Sequence, residues 1–127
     1  MAPLVLSVDD EPDITDLACL HLRRAGYDVL TASSGRQALE TVQTRHPDLV
    51  LLDLMLPDID GFSVCEILRS DPATAAIPVI IISAWSTREA RAMGFECGVL
   101  DYVTKPFSPQ ELIARVKRLL SPRPPPA

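Results

Sequence analysis

Short apolar runs alternate with longer segments of helical period along the chain as far as residue 120. Most of these runs are apolar throughout, which is typical of strands buried on both faces of a parallel sheet. The alternation contains no internal repeat or linker, so we expect one domain over residues 1–120. The predicted strands are residues 4–8, 29–32, 49–52, 79–82 and 102–103.

Five segments of helical period follow these runs, and most carry residues that start or stop helices. Ser34 and Ser108 each open a capping-box pattern, while Gly26 and Pro47 follow the first two segments. Five strand–helix pairs in strict order predict an α/β fold with a doubly wound sheet, in which ligands bind outside the carboxyl ends of the strands. The predicted helices are residues 12–25, the segment from Ser34 to Pro47, about 61–69, about 87–97 and the segment from Ser108 onward.

Composition narrows the class of protein. The 127 residues are 47% hydrophobic and 23% charged, which is too apolar for a disordered chain and too charged for a membrane span. The net charge of −5 argues against direct nucleic-acid binding by this domain. Three cysteines without metal-ligand spacing predict small core residues in a reducing compartment, and the N-terminal apolar run is too short for a signal peptide. We therefore expect a cytoplasmic domain, with residues 121–127 as a Pro-rich linker stub or tail.

Acidic residues follow two of the predicted strands. Asp9 and Asp10 come directly after the first strand, and Asp53 comes after the third. Carboxylates gathered at one edge of a sheet repel one another, and Mg²⁺ with oxygen ligands is the natural cation to offset that repulsion. Taken singly, Asp9 and Asp10 also fit as caps of the first helix, and Asp53 as a residue that ends a strand.

Two further strand ends add a hydroxyl and an ammonium group. Ser83 follows the fourth strand, and Lys105 follows the fifth. Alone, Ser83 fits a turn and Lys105 a solvated surface position. Together with the carboxylates they predict a site for a phosphoryl group, whose charge has to be neutralised from several sides.

Four segments resemble the receiver domain of two-component response regulators. They are residues 8–12 (VDDEP), 52–61 (LDLMLPDIDG), 82–84 (ISA) and 101–107 (DYVTKPF), which occur in order within a resemblance that covers residues 4–120. The resemblance implies a single (βα)5 flavodoxin-like domain with strand order 2-1-3-4-5. It further implies a phosphorylation-activated signalling switch that promotes its own phosphorylation and dephosphorylation and has no separate turnover substrate.

The resemblance also assigns roles to residues. Asp53 is implied to accept a phosphoryl group from a phosphohistidine on a sensor histidine kinase or a phosphotransfer protein. Asp10 and Asp53 are implied to bind Mg²⁺, or Mn²⁺ as a substitute, together with the backbone carbonyl of Met55. Asp9 is implied to act through metal-bound water, while Lys105 pairs with one phosphoryl oxygen.

The resemblance also implies a switch that starts at Ser83, which hydrogen-bonds another phosphoryl oxygen. Ser83 is expected to move toward the phosphoryl group and Tyr102 to rotate inward, which changes the face made by the fourth helix, the fifth strand and the fifth helix. The Lys105–Pro106 bond resembles the family's cis peptide. Gly61 fits the loop after Asp53, where glycine allows a backbone angle that other residues resist.

Several further residues also have expected roles or positions. Trp85 and Met55 are expected to border the path of attacking water and to slow hydrolysis of the phosphoryl group. His21 and His46 fit ordinary positions on helix surfaces. One charge set resembles the pairs that join winged-helix regulators into symmetric dimers, although exposed pairs contribute little energy. This candidate dimer face comprises Arg91, Glu96, Asp101, Glu111, Arg115 and Lys117.

Three other functions are less compatible with the sequence than the switch. A phosphatase with an aspartate nucleophile needs a second acid two residues after it, where Met55 stands. A flavin or nucleotide binder is disfavoured because neither glycine-rich phosphate-binding motif occurs. A scaffold that has lost phosphorylation is disfavoured by the full set of charged and hydroxyl residues at the strand ends.

Overall fold

A computed structural model describes residues 2–120 of the chain. The Pro-rich segment 121–127, predicted as a linker stub or tail, lies outside the described residues. Strands and helices alternate without exception, as the hydrophobic pattern predicts, and most boundaries fall within one residue of the predicted ones. The elements are β1 Leu4–Val8, α1 Pro12–Arg24, β2 Asp28–Ala32, α2 Gly35–Arg45, β3 Leu49–Leu52, α3 Gly61–Ser70, β4 Val79–Ser83, α4 Arg88–Glu96, β5 Asp101–Thr104 and α5 Pro109–Leu120.

The five strands form one parallel sheet in the order β2-β1-β3-β4-β5, which confirms the expected topology. Successive side chains of β3 point to opposite faces, so Leu49 and Leu51 join one core while Val50 and Leu52 join the other. The first core is completed by α1 and α5, and the second by α2, α3 and α4. A strand covered on both faces has no polar side, which explains the all-apolar runs of the sequence.

Local details differ from the expectations at three points. Gln37 donates its backbone N–H to the Ser34 hydroxyl, but its side chain accepts from Ser33 rather than completing the predicted capping box. His46 is not on a helix surface; it is the C-cap of α2 in the left-handed conformation, with φ of 45°. Cys19 and Cys65 are buried as predicted, whereas Cys97 is only half-buried.

Gly61 is required for a reason other than the predicted one. Its φ does not lie in the left-handed region; instead, a Cβ at this position would lie 2.6 Å from the backbone oxygen of Asp53. The same glycine donates its N–H to the carbonyl of Leu54 and begins α3. Only a residue without a side chain lets α3 start directly against the backbone of the strand end that carries Asp53.

Candidate functional site

Strand register gathers the predicted site residues at one edge of the sheet. Val8 is level with Leu52 in the parallel ladder, so the residues that follow them, Asp9 and Asp53, emerge side by side. At the other side of the site, Lys105 donates its backbone N–H to the carbonyl of Ser83 over 2.9 Å. The lysine that follows β5 is thereby tied to the serine that ends β4.

Four carboxylates form a cluster at this edge. One oxygen from each of Asp9, Asp10, Glu11 and Asp53 lies within 4.8 Å of the others. Asp9 and Asp53 are buried, whereas Asp10 and Glu11 are exposed. Carboxylate oxygens in this number and spacing are the donors that a hard divalent cation prefers. The cluster could therefore hold a metal ion.

Lys105 is the cation that faces these carboxylates in the structure. Its Nζ lies 2.8 Å from Asp9 Oδ2, 3.1 Å from Asp53 Oδ2 and 3.2 Å from Glu11 Oε1. Burial lowers the pKa of Lys105, but the hydrogen bonds that it donates to Asp9 and Asp53 outweigh burial and raise the pKa above its ordinary value. The lysine therefore carries a fixed positive charge at the site, and its peptide bond to Pro106 is cis, as the sequence resemblance implies.

For Asp9, the effect of burial on the pKa outweighs the effect of hydrogen bonds. Burial raises the pKa of its carboxyl group above the ordinary value, and the hydrogen bond from Lys105 offsets only part of that effect. Its other oxygen accepts the backbone N–H of Glu11 over 2.9 Å. The charged form of Asp9 is thus costly as the site stands, and a second cation would lower that cost.

The loop after Asp53 is anchored by a residue that the sequence reasoning missed. Asp58 accepts the backbone N–H groups of Gly35 and Arg36 over 2.8 and 2.9 Å, and these bonds hold the pKa of its carboxyl group below the ordinary value. The free N–H groups at the start of α2 are thus capped by a residue of another segment. An Asp beside Pro57 signals a turn in the sequence, but its partners lie 22 and 23 residues away. Met55, on the same loop, donates its N–H to Asp53 Oδ1 over 3.2 Å, and its side chain is exposed.

The predicted switch residues are in contact with one another. Ser83 is fully buried and accepts the backbone N–H of Trp85 over 3.1 Å. Tyr102 is only 2% exposed, and its hydroxyl donates to the carbonyl of Trp85. The tyrosine therefore already occupies an inward position. The half-exposed Trp85 packs edge-on against Phe62, with ring centroids 5.9 Å apart.

Most of the candidate dimer face is engaged within the chain itself. Arg91 donates a hydrogen bond to Thr104. Asp101 is buried and forms ion pairs with Arg115 and with Arg118, a residue that the sequence reasoning missed. Arg115 also pairs with Glu111 over 2.9 Å. Glu96 and Lys117 are exposed, and within the described residues neither forms an ion pair.

The chain is similar to known proteins in both sequence and structure. The family described as the response regulator receiver domain matches residues 5–117. The DNA-binding dual master transcriptional regulator RpaA of Synechocystis is 46% identical over 93% of this chain and 49% of its own length. The alkaline phosphatase synthesis transcriptional regulatory protein PhoP of Bacillus subtilis is 46% identical over 91% of this chain and 48% of its own. The chain thus spans about half the length of these curated relatives.

Solved structures agree with the sequence relatives. A response regulator from Chloroflexus aurantiacus, 39% identical, superposes with a TM-score of 0.91 over 96% of this chain and 100% of that chain. The chemotaxis protein CheY4 of Vibrio cholerae, 29% identical, gives a TM-score of 0.89 over 94% and 100%. Across residues 2–120, none of the helices has the length and apolar character needed to cross a membrane.

Proposed function

We propose that Asp53 is the phosphoacceptor of this chain, which belongs to the family of response regulator receiver domains and is a phosphorylation-activated signalling switch. The observation that carries this proposal is the position of Asp53: it is buried, and its Oδ2 lies 3.1 Å from Lys105 Nζ within a cluster of carboxylates. Among those carboxylates, Asp53 alone follows β3, the middle strand of the sheet, and its Oδ1 accepts the backbone N–H of Met55 over 3.2 Å.

The reaction is a group transfer to a carboxylate. An oxygen of Asp53 attacks the phosphorus of a phosphohistidine on a sensor kinase or phosphotransfer protein, and the O–P bond forms as the N–P bond breaks. The electron pair of the broken bond returns to the imidazole nitrogen. Lys105 holds its charge beside the incoming phosphoryl oxygens, and Ser83 donates its hydroxyl to one of them. No separate turnover substrate is implied.

The same edge of the sheet suits a divalent metal ion. Four carboxylates face one lysine, so the site carries uncompensated negative charge, and its donors are oxygen atoms. Asp10, Asp53 and the backbone carbonyl of Met55 would hold Mg²⁺, or Mn²⁺ as a substitute, and Asp9 would act through a bound water. When bound, the ion supplies a second positive charge for the phosphoryl oxygens.

The proposed output runs from Ser83 to the face made by α4, β5 and α5. Ser83 and Tyr102 are linked through the backbone of Trp85, so a movement of Ser83 toward the phosphoryl group reaches the tyrosine directly. A change at this face would alter contacts with an output domain or with a second copy of the chain through the candidate dimer face. Relatives twice as long are named DNA-binding regulators, and we place nucleic-acid binding outside this domain and the domain itself in the cytoplasm.

Trp85 and Met55 are proposed to shield the phosphoryl group from water. Both side chains are exposed, and they follow Ser83 and Asp53 by two residues each. Apolar surface at these two positions would limit the room for a water that attacks the phosphoryl group. They are thus expected to set the lifetime of the phosphorylated state and to leave its formation unchanged.

The test is the intact mass of the protein after incubation with acetyl phosphate, with and without Mg²⁺. We expect one phosphoryl adduct that depends on Mg²⁺ and is absent from Asp53→Asn. The matched control is Asp28→Asn, an exposed acid at the start of β2 that should leave the adduct unchanged. An adduct that persists in Asp53→Asn would contradict the assignment. No adduct in the folded native protein with any donor would favour a phosphorylation-independent scaffold.

A further inference from the structure

The side chain of Arg91, on α4, contacts both β5 and the loop that precedes α4. Its guanidinium carbon lies 5.1 Å from the centre of the Tyr102 ring. One terminal nitrogen donates to the hydroxyl of Thr104 over 2.8 Å, and Nε donates to the carbonyl of Ser86 over 3.4 Å. Arg91 lies on α4, Ser86 on the loop before α4, and Thr104 on β5.

These contacts hold Tyr102 at its hydroxyl group and at one face of its ring. The hydroxyl of Tyr102 is held by the carbonyl of Trp85 in the β4–α4 loop, while the face of the ring lies under the guanidinium group. The electrons of an aromatic face attract a cation, and the attraction is stronger where water is excluded. Tyr102 is almost fully buried, so water weakens this contact little.

We propose that Arg91 is the positioning residue that holds Tyr102 in its inward position and couples α4 to the end of β5. The inference rests on the proposed function, in which Tyr102 is the switch residue. Thr104 precedes Lys105 directly, so one guanidinium group joins the tyrosine to the strand end that carries the phosphoryl-binding lysine. Its planar fork of donors makes both polar contacts while its face covers the ring, which an ammonium group does not do.

The two positions of Tyr102 predict opposite shifts of its phenol pKa when Arg91 is removed. Burial raises that pKa above its ordinary value, and the charge of Arg91 and a hydrogen bond from Ser83 oppose the rise, while Asp53 adds to it. If the ring leaves its buried position without Arg91, the burial effect is lost and the pKa falls. If the ring stays, only the favourable cation is lost and the pKa rises further.

The experiment uses the Tyr27→Phe chain, in which Tyr102 is the only tyrosine, and follows phenolate absorbance against pH. Arg91→Met is expected to lower the pKa of Tyr102 toward 10.0, its ordinary value. Arg91→Lys keeps the charge without the fork and is expected to lie between Arg91→Met and the parent. The matched control is Arg88→Met, which removes the same charge from an exposed position of α4 and should leave the pKa unchanged.

A second measurement at neutral pH guards against unfolding of the variants. Nitration by tetranitromethane, mapped to Tyr102 by peptide mass, should be slow in the parent and faster in Arg91→Met, while circular dichroism shows the helices retained. A pKa of Tyr102 that rises or stays constant in Arg91→Met, with nitration unchanged, would overturn the proposal. So would an equal effect in Arg88→Met.

The outcome is separable from that of the phosphoacceptor test. The titration and the nitration report the position of Tyr102 without any phosphoryl donor. If Asp53 accepted no phosphoryl group but Arg91→Met released Tyr102, the positioning role would stand and the proposed function would fall. If Asp53 were phosphorylated and Tyr102 did not respond to Arg91→Met, the positioning role alone would be contradicted.

Discussion

Clusters of charged side chains lie at both ends of β5, and they differ in how their charges balance. At the carboxyl end, Lys105 is 9% exposed and contacts two acids, Asp9 and Asp53, that are 5% and 3% exposed. At the amino end, Asp101 is 9% exposed and pairs with Arg115 and Arg118, which are 35% and 66% exposed. The first cluster has more buried acids than cations, whereas in the second a single buried acid is paired with two arginines that reach solvent.

This difference indicates that one cluster is suited to binding a ligand and that the other stabilises the fold. Buried carboxylates in excess of their cations leave an electrostatic cost that a metal ion or a charged ligand relieves on binding. The cluster around Asp101 has no such cost, because its arginines reach water and its one buried acid is paired with both of them. Charged residues at the two ends of β5 are therefore suited to ligand binding at one end and to chain stability at the other.

The largest effect is expected from Lys105→Met. Loss of a positioned charge at a reacting centre slows a reaction by about 10²- to 10³-fold. The initial rate of phosphoryl adduct formation should fall by that order, as followed by intact mass with acetyl phosphate and Mg²⁺. The control is Lys117→Met, the only other lysine, which is exposed on α5. A fall of less than a few-fold in Lys105→Met would remove the distinction between the two ends of β5.

Asp101→Asn should affect stability and leave phosphoryl transfer unchanged. The substitution removes the charge that Arg115 and Arg118 share, and hydrogen bonds to charged groups contribute about 1.5–3 kcal/mol. Because both arginines can turn to water, we expect the free energy of unfolding to fall by only about 1–2 kcal/mol, measured by urea with Trp85 fluorescence. Glu111→Gln, which breaks one exposed pair, should cost less than about 0.5 kcal/mol. A strong loss of adduct formation in Asp101→Asn would show that the two clusters are coupled.

Trp85→Ala is expected to shorten the lifetime of the phosphoryl group by a few-fold. The indole ring is half-exposed two residues after Ser83, and its removal is expected to leave room for an attacking water. Decay of the adduct is followed by intact mass after the donor is removed. Trp85→Phe keeps an aromatic ring against Phe62 and is expected to decay at an intermediate rate. Slower decay in Trp85→Ala than in the native protein would contradict the shielding role.

The smallest effect is a pH dependence of metal binding that arises from Asp9. Burial raises the pKa of this acid, so it retains its proton above the ordinary value of 3.8, and a proton competes with the cation. Mg²⁺ affinity, measured by Trp85 emission, should therefore weaken as the pH falls and begin to do so above 3.8. Asp9→Asn should bind Mg²⁺ more weakly and lose this part of the pH dependence. An affinity of the native protein that holds constant down to pH 3.8 would contradict the expectation.

The same acid affects folding in the opposite sense. A carboxyl group whose pKa is raised in the folded protein favours folding at low pH, and this contribution is lost as the pH rises through the raised value. Without a divalent cation, the native protein should therefore gain stability relative to Asp9→Asn on acidification toward 3.8. Mg²⁺ should reduce that gain, because the ion stabilises the charged form.

Much of the fold follows from local sequence signals. The apolar runs and the helical periods predicted all ten elements, because a strand buried on both faces admits no polar side chain and a helix on one face of a sheet has one apolar stripe. The exact bounds of the elements follow less directly from the sequence. β5 was predicted as two residues but spans Asp101–Thr104, since the side chains of Asp101 and Thr104 find polar partners within the fold that sequence alone does not show.

The sequence by itself determined which residues stand at the strand ends, since a polar residue that stops an apolar run marks the end of a buried strand. Asp9, Asp53, Ser83 and Lys105 were predicted in this way. Only the tertiary structure decided the partners: that Lys105 bridges Asp9 and Asp53, that Asp58 caps α2 and that Arg91 covers Tyr102. Gly61 is decided in the same way, by the approach of α3 to Asp53 rather than by its backbone angle. Contacts between side chains far apart in the chain depend on how the strands and helices pack against one another, which a local hydrophobic pattern does not encode.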